Sequence, residues 1–497
     1  MKRKMIFISL LATAPFAAEI KVDATVVYTS PTGVEEKCTI LPEIVDGDYS
    51  KSDKEKEEKF CEVDFYEDSN FGLCPKTWST SPGTIVYKLK GTSYEGSKQL
   101  FEKEVCGTSK TRSYKALAKF KNTMNQEGTS GTYAASNLLY YHFSRYLDTS
   151  VNIPVSVYRE IDKSEHLKRA KLGQSSSPAG MIRNGWKWTV DAILNPDIYR
   201  PTSDLFTDDG EKVYGVMLKD SGERYGAEIN GIRSKWGLQS SIDFKNTPAF
   251  VALGSSLDVE TAISKTLSSY NENIKAEIKN HKGGLFKKKN TEALNNLNYL
   301  SKVLPLISKE QMIFWMKELT EITILDTIFS QQDRIGNIDY KWYAYFIDEN
   351  GKVKNEKLDS DVALSKKSSL HFEAPNSSKV VFIQRTQLGD NDAGVRNAYM
   401  NFSKSAGLVE AISHLNARTY ERVKALDADL SSEGEIFQYL SSNFGLKTSE
   451  ITSIVKNTNH VFGILKQKCL NGSLKFDLEP KEFLKNQKVE GKTVSCE

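Results

Sequence analysis

The chain has 497 residues, 39% of them hydrophobic and 26% charged, which is the composition of a globular protein with a sizeable core and excludes a disordered or fibrous polymer. Its 67 Lys and Arg stand against 64 Asp and Glu, and removing residues 1–18 takes away Lys2, Arg3 and Lys4 and no acid, leaving the two signs equal. Such a balance gives no basis for charge-driven nucleic-acid binding.

The N-terminus reads as a secretory signal. Lys2 to Lys4 are the charged region, Met5 to Leu11 a short apolar core, and Ala14 to Ala18 the small residues of a cleavage site. The apolar run is too short for a membrane anchor, and no later segment reaches the length of a span. The expected location is therefore exported, periplasmic or secreted, with no transmembrane anchor after cleavage. All six cysteines follow this segment: Cys38, Cys61, Cys74, Cys106, Cys469 and Cys496. An even count in an exported chain predicts disulfides. The simplest pairing is two bridges among the first four and one between Cys469 and Cys496, with the pairing inside the first group open. There is no CxxC pair for zinc or thioredoxin-like chemistry.

Residues 19–80 read as short strands and turns, an N-terminal disulfide-tied β module, with KSDKEKEEK (Lys51 to Lys59) a solvated loop or helix edge. Residues 81–162 hold three strand-like runs, TIVYKLK (Thr84 to Lys90), QLFEKEV (Gln99 to Val105) and YKALAKFK (Tyr114 to Lys121). A helix from Thr132 to Leu147, capped by Thr129 or Ser130, follows, and then a strand, VNIPVSVYREI, from Val151. Residues 163–308 read as an inserted or linking region with a strand at Lys212 to Lys219, a polar helix at Val259 to His281 and a basic loop at His281 to Asn290. Residues 309–497 begin with a helix running into Phe329. Two strand runs follow, YKWYAYFI (Tyr340 to Ile347) and KVVFIQRTQL (Lys379 to Leu388), and helices from Asn401 onward.

Two polar clusters carry the chemistry. SQQDRIGN (Ser330 to Asn337) ends the apolar helix, and LGDNDAG (Leu388 to Gly394) ends the second strand run. Acidic residues about fifty positions apart, each just past an apolar segment, are what a metal-dependent phosphoryl-transfer site needs: one positions the attacking hydroxyl and the other holds metal on phosphates. The plainer possibilities are a helix C-terminal salt bridge around Asp333 and Arg334, and a turn or calcium loop around Asp390 and Asp392. No HExxH, Walker loop or G-x-S-x-G pattern is present.

ALAKFK, the helix after it and VNIPVSVYR, together with QQDRIGN and LGDNDAG, resemble the atypical kinase superfamily. That group includes the secretory-pathway casein kinases, spore-coat CotH kinases, HipA-type kinases and phosphatidylinositol 4-kinases. The resemblance covers about 120 residues and rests on shared order. It implies an α+β, two-lobed kinase-like fold with a β-rich N-lobe and a helical C-lobe. It further implies ATP with Mg2+ or Mn2+ as cofactors and an unknown hydroxyl acceptor, whether protein, lipid or small molecule. Carried over, Asp333 orients the acceptor. Asn337 and Asp390 or Asp392 hold metal. Lys119, or Lys121 on the same strand face, contacts phosphates, with Lys219 and Glu228 as rivals, and the turn from Gly91 to Gly96 covers them. Asn337 lies four residues after Asp333 where the family has five, and the helix after Lys119 contains no glutamate, Glu127 lying only in the preceding loop. About 170 residues separate the two patches. The first two departures leave room for an inactive pseudokinase, and an exported structural or binding protein is the third expectation.

Overall fold

A computed structural model describes residues 24–67, 70–219, 222–231, 237–282, 307–358, 372–375 and 379–497. The expected signal segment and most of the basic loop lie outside these residues. Among these residues eleven strands form two sheets. The first seven strands are β1 (Ala24–Thr29), β2 (Glu35–Ile40), β3 (Phe71–Pro75), β4 (Thr84–Lys88), β5 (Ala116–Asn122), β6 (Ser156–Asp162) and β7 (Lys212–Leu218). They form one antiparallel sheet in the order β1-β2-β6-β7-β5-β4-β3. The expected boundary at residue 80 thus falls inside the β3–β4 hairpin, and β7, from the stretch expected as an insertion, is the central strand.

The second sheet contains β8 (Glu223–Arg224), β9 (Asp339–Ile347), β10 (Val353–Lys357) and β11 (Val381–Gln387). Its aromatic and β-branched runs suit a half-buried pleated surface. β11 lies antiparallel to β9 with Gln387 opposite Asp339. That register decides the site, because the loop before β9 and the loop after β11 emerge at the same end of the sheet.

The two sheets meet through the segment before β6. Asn152 N donates to Thr386 O at 3.0 Å, and Leu388 N donates to Asn152 O at 3.0 Å. Behind them runs the Lys309–Ile328 helix, capped by Ser308, whose hydroxyl accepts from Gln311 N at 3.1 Å. Seventeen of its 20 residues are buried, so it is wrapped by the protein on all sides rather than lying on a surface. Its three buried acids each hold a different element. Glu318 pairs with Arg385 of β11, Glu321 accepts from the backbone of Ser150 (2.8 Å) and Val151 (3.0 Å), and Asp326 pairs with Arg334.

Three local expectations are corrected. Gln99 to Val105 is helical, in a Lys98–Val105 helix: Phe101 and Val105, four apart, are its buried apolar positions, and a Lys/Glu-rich run with that spacing favours helix over strand. Lys51–Cys61 is a full helix opened by a capping box, with Ser50 and Asp53 bonding each other's backbone N–H at 3.0 and 3.2 Å. The helix after β5 begins at Ala134 without Thr129 or Ser130; the Ala134 N–H instead donates to Thr123 Oγ1 at 3.1 Å.

The disulfides are Cys38–Cys61, Cys74–Cys106 and Cys469–Cys496. Cys74–Cys106 closes a separation of 32 residues and pins β3 to the end of the Lys98–Val105 helix. Replacing both cysteines by Ala is expected to cost about 3–4 kcal/mol through the entropy returned to the unfolded chain. Urea unfolding measures it, and a loss below about 1 kcal/mol would mean that the unfolded chain is already constrained there.

Candidate functional site

The loop at 388–394 is held from three directions. Ser136 Oγ donates to Asn391 O at 2.5 Å and Tyr133 N donates to Asp392 O at 2.6 Å, so the start of the Ala134–Tyr146 helix seats it from one side. Gln332 N donates to Ala393 O at 3.0 Å and Val395 N to Phe329 O at 2.5 Å, which joins it to the 330–337 loop. From beneath, the guanidinium of Arg334 donates to Asp390 O at 3.0 Å and to Asn391 Oδ1 at 2.9 Å. The remaining face of Arg334 is bound by Asp326, at 2.8 and 3.0 Å, and Asp326 also accepts from Tyr140 OH at 2.6 Å.

Close approach explains Gly394: a Cβ there would lie 2.8 Å from Ser136 Oγ and 3.0 Å from Phe329 O. The adjoining backbone is strained, with Val395 at φ 75° and Ser330 at φ 52°. A β-branched residue in the left-handed region is unfavourable and persists only where surrounding contacts over-determine it.

Two aspartates of this loop meet Lys121. Its Nζ lies 3.1 Å from Asp390 Oδ1 and also pairs with Asp392 Oδ2. The lysine side chain is 3% exposed, Asp392 7% and Asp390 38%, so the cluster opens to solvent through Asp390. Lys121 holds the Asp390 carboxyl far below the usual carboxylate range, helped by Lys119 and Lys76. Burial pushes Asp392 up, against the pull of Lys121 and with the repulsion of Asp390.

Register places Lys119 and Lys121. Lys119 lies opposite Ile85 of β4 and Leu218 of β7, and Lys121 two residues on lies opposite Val216. Lys121 pairs with Asp390 and Asp392, while Glu127 is exposed.

The turn that approaches Lys121 is the β3–β4 turn, closed by Lys76 N donating to Gly83 O at 2.8 Å. Gly83 sits where a Cβ would be 3.9 Å from Lys121 Cγ. Lys76 is buried, its Nζ 3.4 Å from Ser81 Oγ, and Trp78 to Thr80 at the tip are exposed. Gly91 and Gly96 lie elsewhere. The antiparallel pairing of Thr84 with Phe120 and Tyr87 with Ala116 puts the residues after Lys88 at the far end of β4 from Lys121. Both glycines adopt positive φ, so their shared reason is turn geometry.

Asp333 is half-buried beside Arg334. Its N–H donates to Gln331 Oε1 at 3.1 Å and its carbonyl accepts from Asn337 Nδ2 at 2.7 Å. The Asn337 carboxamide oxygen accepts from Arg224, which also binds Gly336 O and pairs with Asp339 at 2.5 Å. Among the described residues no three His, Cys, Asp or Glu side chains converge as a metal site. Asp390 fits a metal brought in on phosphates, being ionised and open to solvent, whereas Asn337 is committed to Arg224. Lys219 follows β7 and is exposed, and Glu228 is buried, its Oε1 accepting from Gly226 N at 3.1 Å.

Sequence reasoning missed Lys76, which is distant in sequence from either motif; Asp326, eight residues before Arg334, and Tyr140, on the helix after β5, were not assigned to the site. No model of a known protein family matches the chain, and no curated protein matches it.

Removing the lysine strands a buried carboxylate. Lys121→Met is expected to destabilise the protein by about 3–5 kcal/mol near neutral pH, read by urea unfolding. Because Asp390 is held low in the folded state, the stability it gains from Lys121 is complete above about pH 4, the ordinary carboxylate range, and is lost only as pH falls further. A penalty under about 1 kcal/mol at neutral pH would contradict the buried pair.

Proposed function

We propose that this chain is an exported, kinase-like phosphotransferase that moves the γ-phosphoryl group of ATP, with Mg2+ or Mn2+, to a hydroxyl acceptor. The observation that carries the reading is the convergence of Lys121, Lys119 and Lys76 on the aspartates of a loop joined through Arg334 to the loop of Asp333. Phosphoryl transfer asks a protein mainly for positioning and charge neutralisation. In this reading the three lysines neutralise phosphate oxygens, and the exposed turn at Trp78 to Thr80 covers them. Asp333 orients the acceptor hydroxyl and takes its proton, and Asp390 holds the metal. The metal would supply further neutralisation of the phosphates. Two lobes then correspond to the seven-stranded sheet and to the second sheet with its helices. Three disulfides fit export. Among the described residues no helix is long and apolar enough to cross a membrane. ATP is scarce outside cells, so an exported transferase would act inside a host cell or use another nucleotide.

A second reading, a pseudokinase that binds nucleotide without transferring phosphate, is favoured by the Arg224 bond that occupies the Asn337 oxygen and by the missing helix glutamate. The disulfide-intact protein, unfolded thermally with ATP and Mn2+ at about a hundred times the dissociation constant, is expected to gain about 2.7 kcal/mol. Asp390→Ala is expected to lose that gain. Transfer of a radiolabelled γ-phosphate to a hydroxyl acceptor or to water then separates the readings. A metal-dependent gain without transfer supports the pseudokinase, and no gain with any metal removes the nucleotide site altogether.

A further inference from the structure

β1 is an edge strand of the seven-stranded sheet. Its hairpin with β2 turns at Ser30, whose N–H donates to Val34 O at 2.9 Å. Along that register Tyr28 lies opposite Glu36, Val26 opposite Cys38 and Ala24 opposite Ile40. In an antiparallel pair, hydrogen-bonded positions alternate with positions whose peptide groups point the other way. Ser30, Tyr28, Val26 and Ala24 therefore spend their peptide groups on β2, while Thr25, Val27 and Thr29 turn theirs outward. The same alternation turns Lys37 of β2 toward β6, where its N–H donates to Glu160 Oε2 at 3.0 Å. Among the described residues nothing meets the outward N–H and C=O groups of Thr25, Val27 and Thr29.

The remaining edges are closed or guarded. At the opposite edge of the first sheet, Leu73 N of β3 donates to Glu102 Oε1 at 2.9 Å, and Pro75 has no N–H to offer. In the second sheet Gln311 bonds the N–H and C=O of Gln384 on β11, at 2.7 and 2.9 Å, and Glu318 accepts from Thr386 N at 3.1 Å. β10 and the two-residue β8 are guarded by charge, through Lys354, Glu356, Lys357, Glu223 and Arg224. A bare edge is a template for another strand, and proteins blunt it with covering groups, proline or charge. β1 has none of these. Its sequence, ATVVYT, contains no charge and no proline. Val27 is 51% exposed, while Ala24, Val26 and Tyr28 pack against the core.

We propose that β1 pairs with β1 of a second copy of this chain, antiparallel about a two-fold axis at Val27, so that the two seven-stranded sheets become one. That axis sets Val27 opposite Val27 and Thr25 opposite Thr29, and every outward N–H then faces an outward C=O. β-branched side chains meet on the solvent side and Val26 meets Tyr28 on the core side, pairs that stabilise antiparallel sheets. An uncharged strand puts no like charges opposite each other when it pairs with itself, and this self-complementarity commits the edge to a second copy. The dimer does not depend on the reading given to Lys121.

Sedimentation equilibrium of the full disulfide-intact chain, from micromolar concentration upward, is expected to show a reversible monomer–dimer equilibrium. Val27→Lys sets two ammonium groups opposite each other at the axis and is expected to weaken the dimer at least about tenfold. Val27→Thr, uncharged and β-branched, is expected to keep it. The Val27 side chain already lies half in water, so the Lys variant is expected to unfold thermally as the dilute wild type does, and lost dimerisation would not reflect lost folding. Mixing tests the register: Val27→Lys and Val27→Glu chains, each weakened alone, are expected to recover the dimer together, less so as salt rises. The proposal is overturned if the wild type stays monomeric at every concentration, including the case where it binds only an extended peptide of unrelated sequence. A Val27→Lys dimer as tight as wild type, or a mixture that recovers nothing, also overturns it.

Discussion

The guanidinium of Arg334 is the contact on which the rest of the candidate site depends. It spends one face on Asp326, the last acid of the buried helix, and the other on the carbonyl of Asp390 and the side chain of Asn391. Both Arg334 and Asp326 are buried, and neither would persist unpaired. Burial opposes the charge of Arg334, and the Asp326 carboxylate outweighs it and raises the basicity of the guanidinium. The acidic loop can therefore sit only where that arginine sits, and the arginine only where the helix ends.

Everything else in the site follows from that anchor and one strand register. β9 and β11 bring both loops to one end of the second sheet, the Ala134–Tyr146 helix closes over the loop at 388–394, and β5 delivers two lysines from the first sheet. Strain at Ser330 and Val395 is confined to the joint between the loops. The buried helix reaches the first sheet's connecting segment through Glu321 and β11 through Glu318, so the two sheets are referred to one rigid element. The cost is three buried acids, and each is matched by an arginine or by backbone N–H groups.

The electrostatics of the lysines differ for a physical reason. Lys121 faces carboxylates across a few ångströms, with Lys119 adding to the field, so attraction offsets desolvation and Asp390 stays ionised. At Lys219 and Lys341 desolvation and the repulsion of neighbouring lysines act in the same direction, and both are held below the usual lysine value.

How much of this was legible can be judged from particular residues. The strands around Lys119, Lys212, Tyr340 and Val381, the long helices and the Cys469–Cys496 bridge follow from periodicity, residue type and spacing, because those signals are local. The capping box at Ser50 was equally local and was overlooked. The Asp390–Asp392 cluster and Lys121 were recognisable as candidates, but their pairing was not, since 269 positions separate Lys121 from Asp390. The turn at Gly91 to Gly96 had the composition of a phosphate-covering loop and lies at the wrong end of β4, because only strand pairing decides which end of a hairpin meets Lys121. Sequence by itself determined many of the local elements, the balanced charge and most of the residues that are candidates for chemistry. Tertiary structure alone decided that β7 fills the centre of the sheet and that Lys76 and Tyr140 lie beside the two loops. Contacts between distant residues depend on register and packing, which no window of the chain contains.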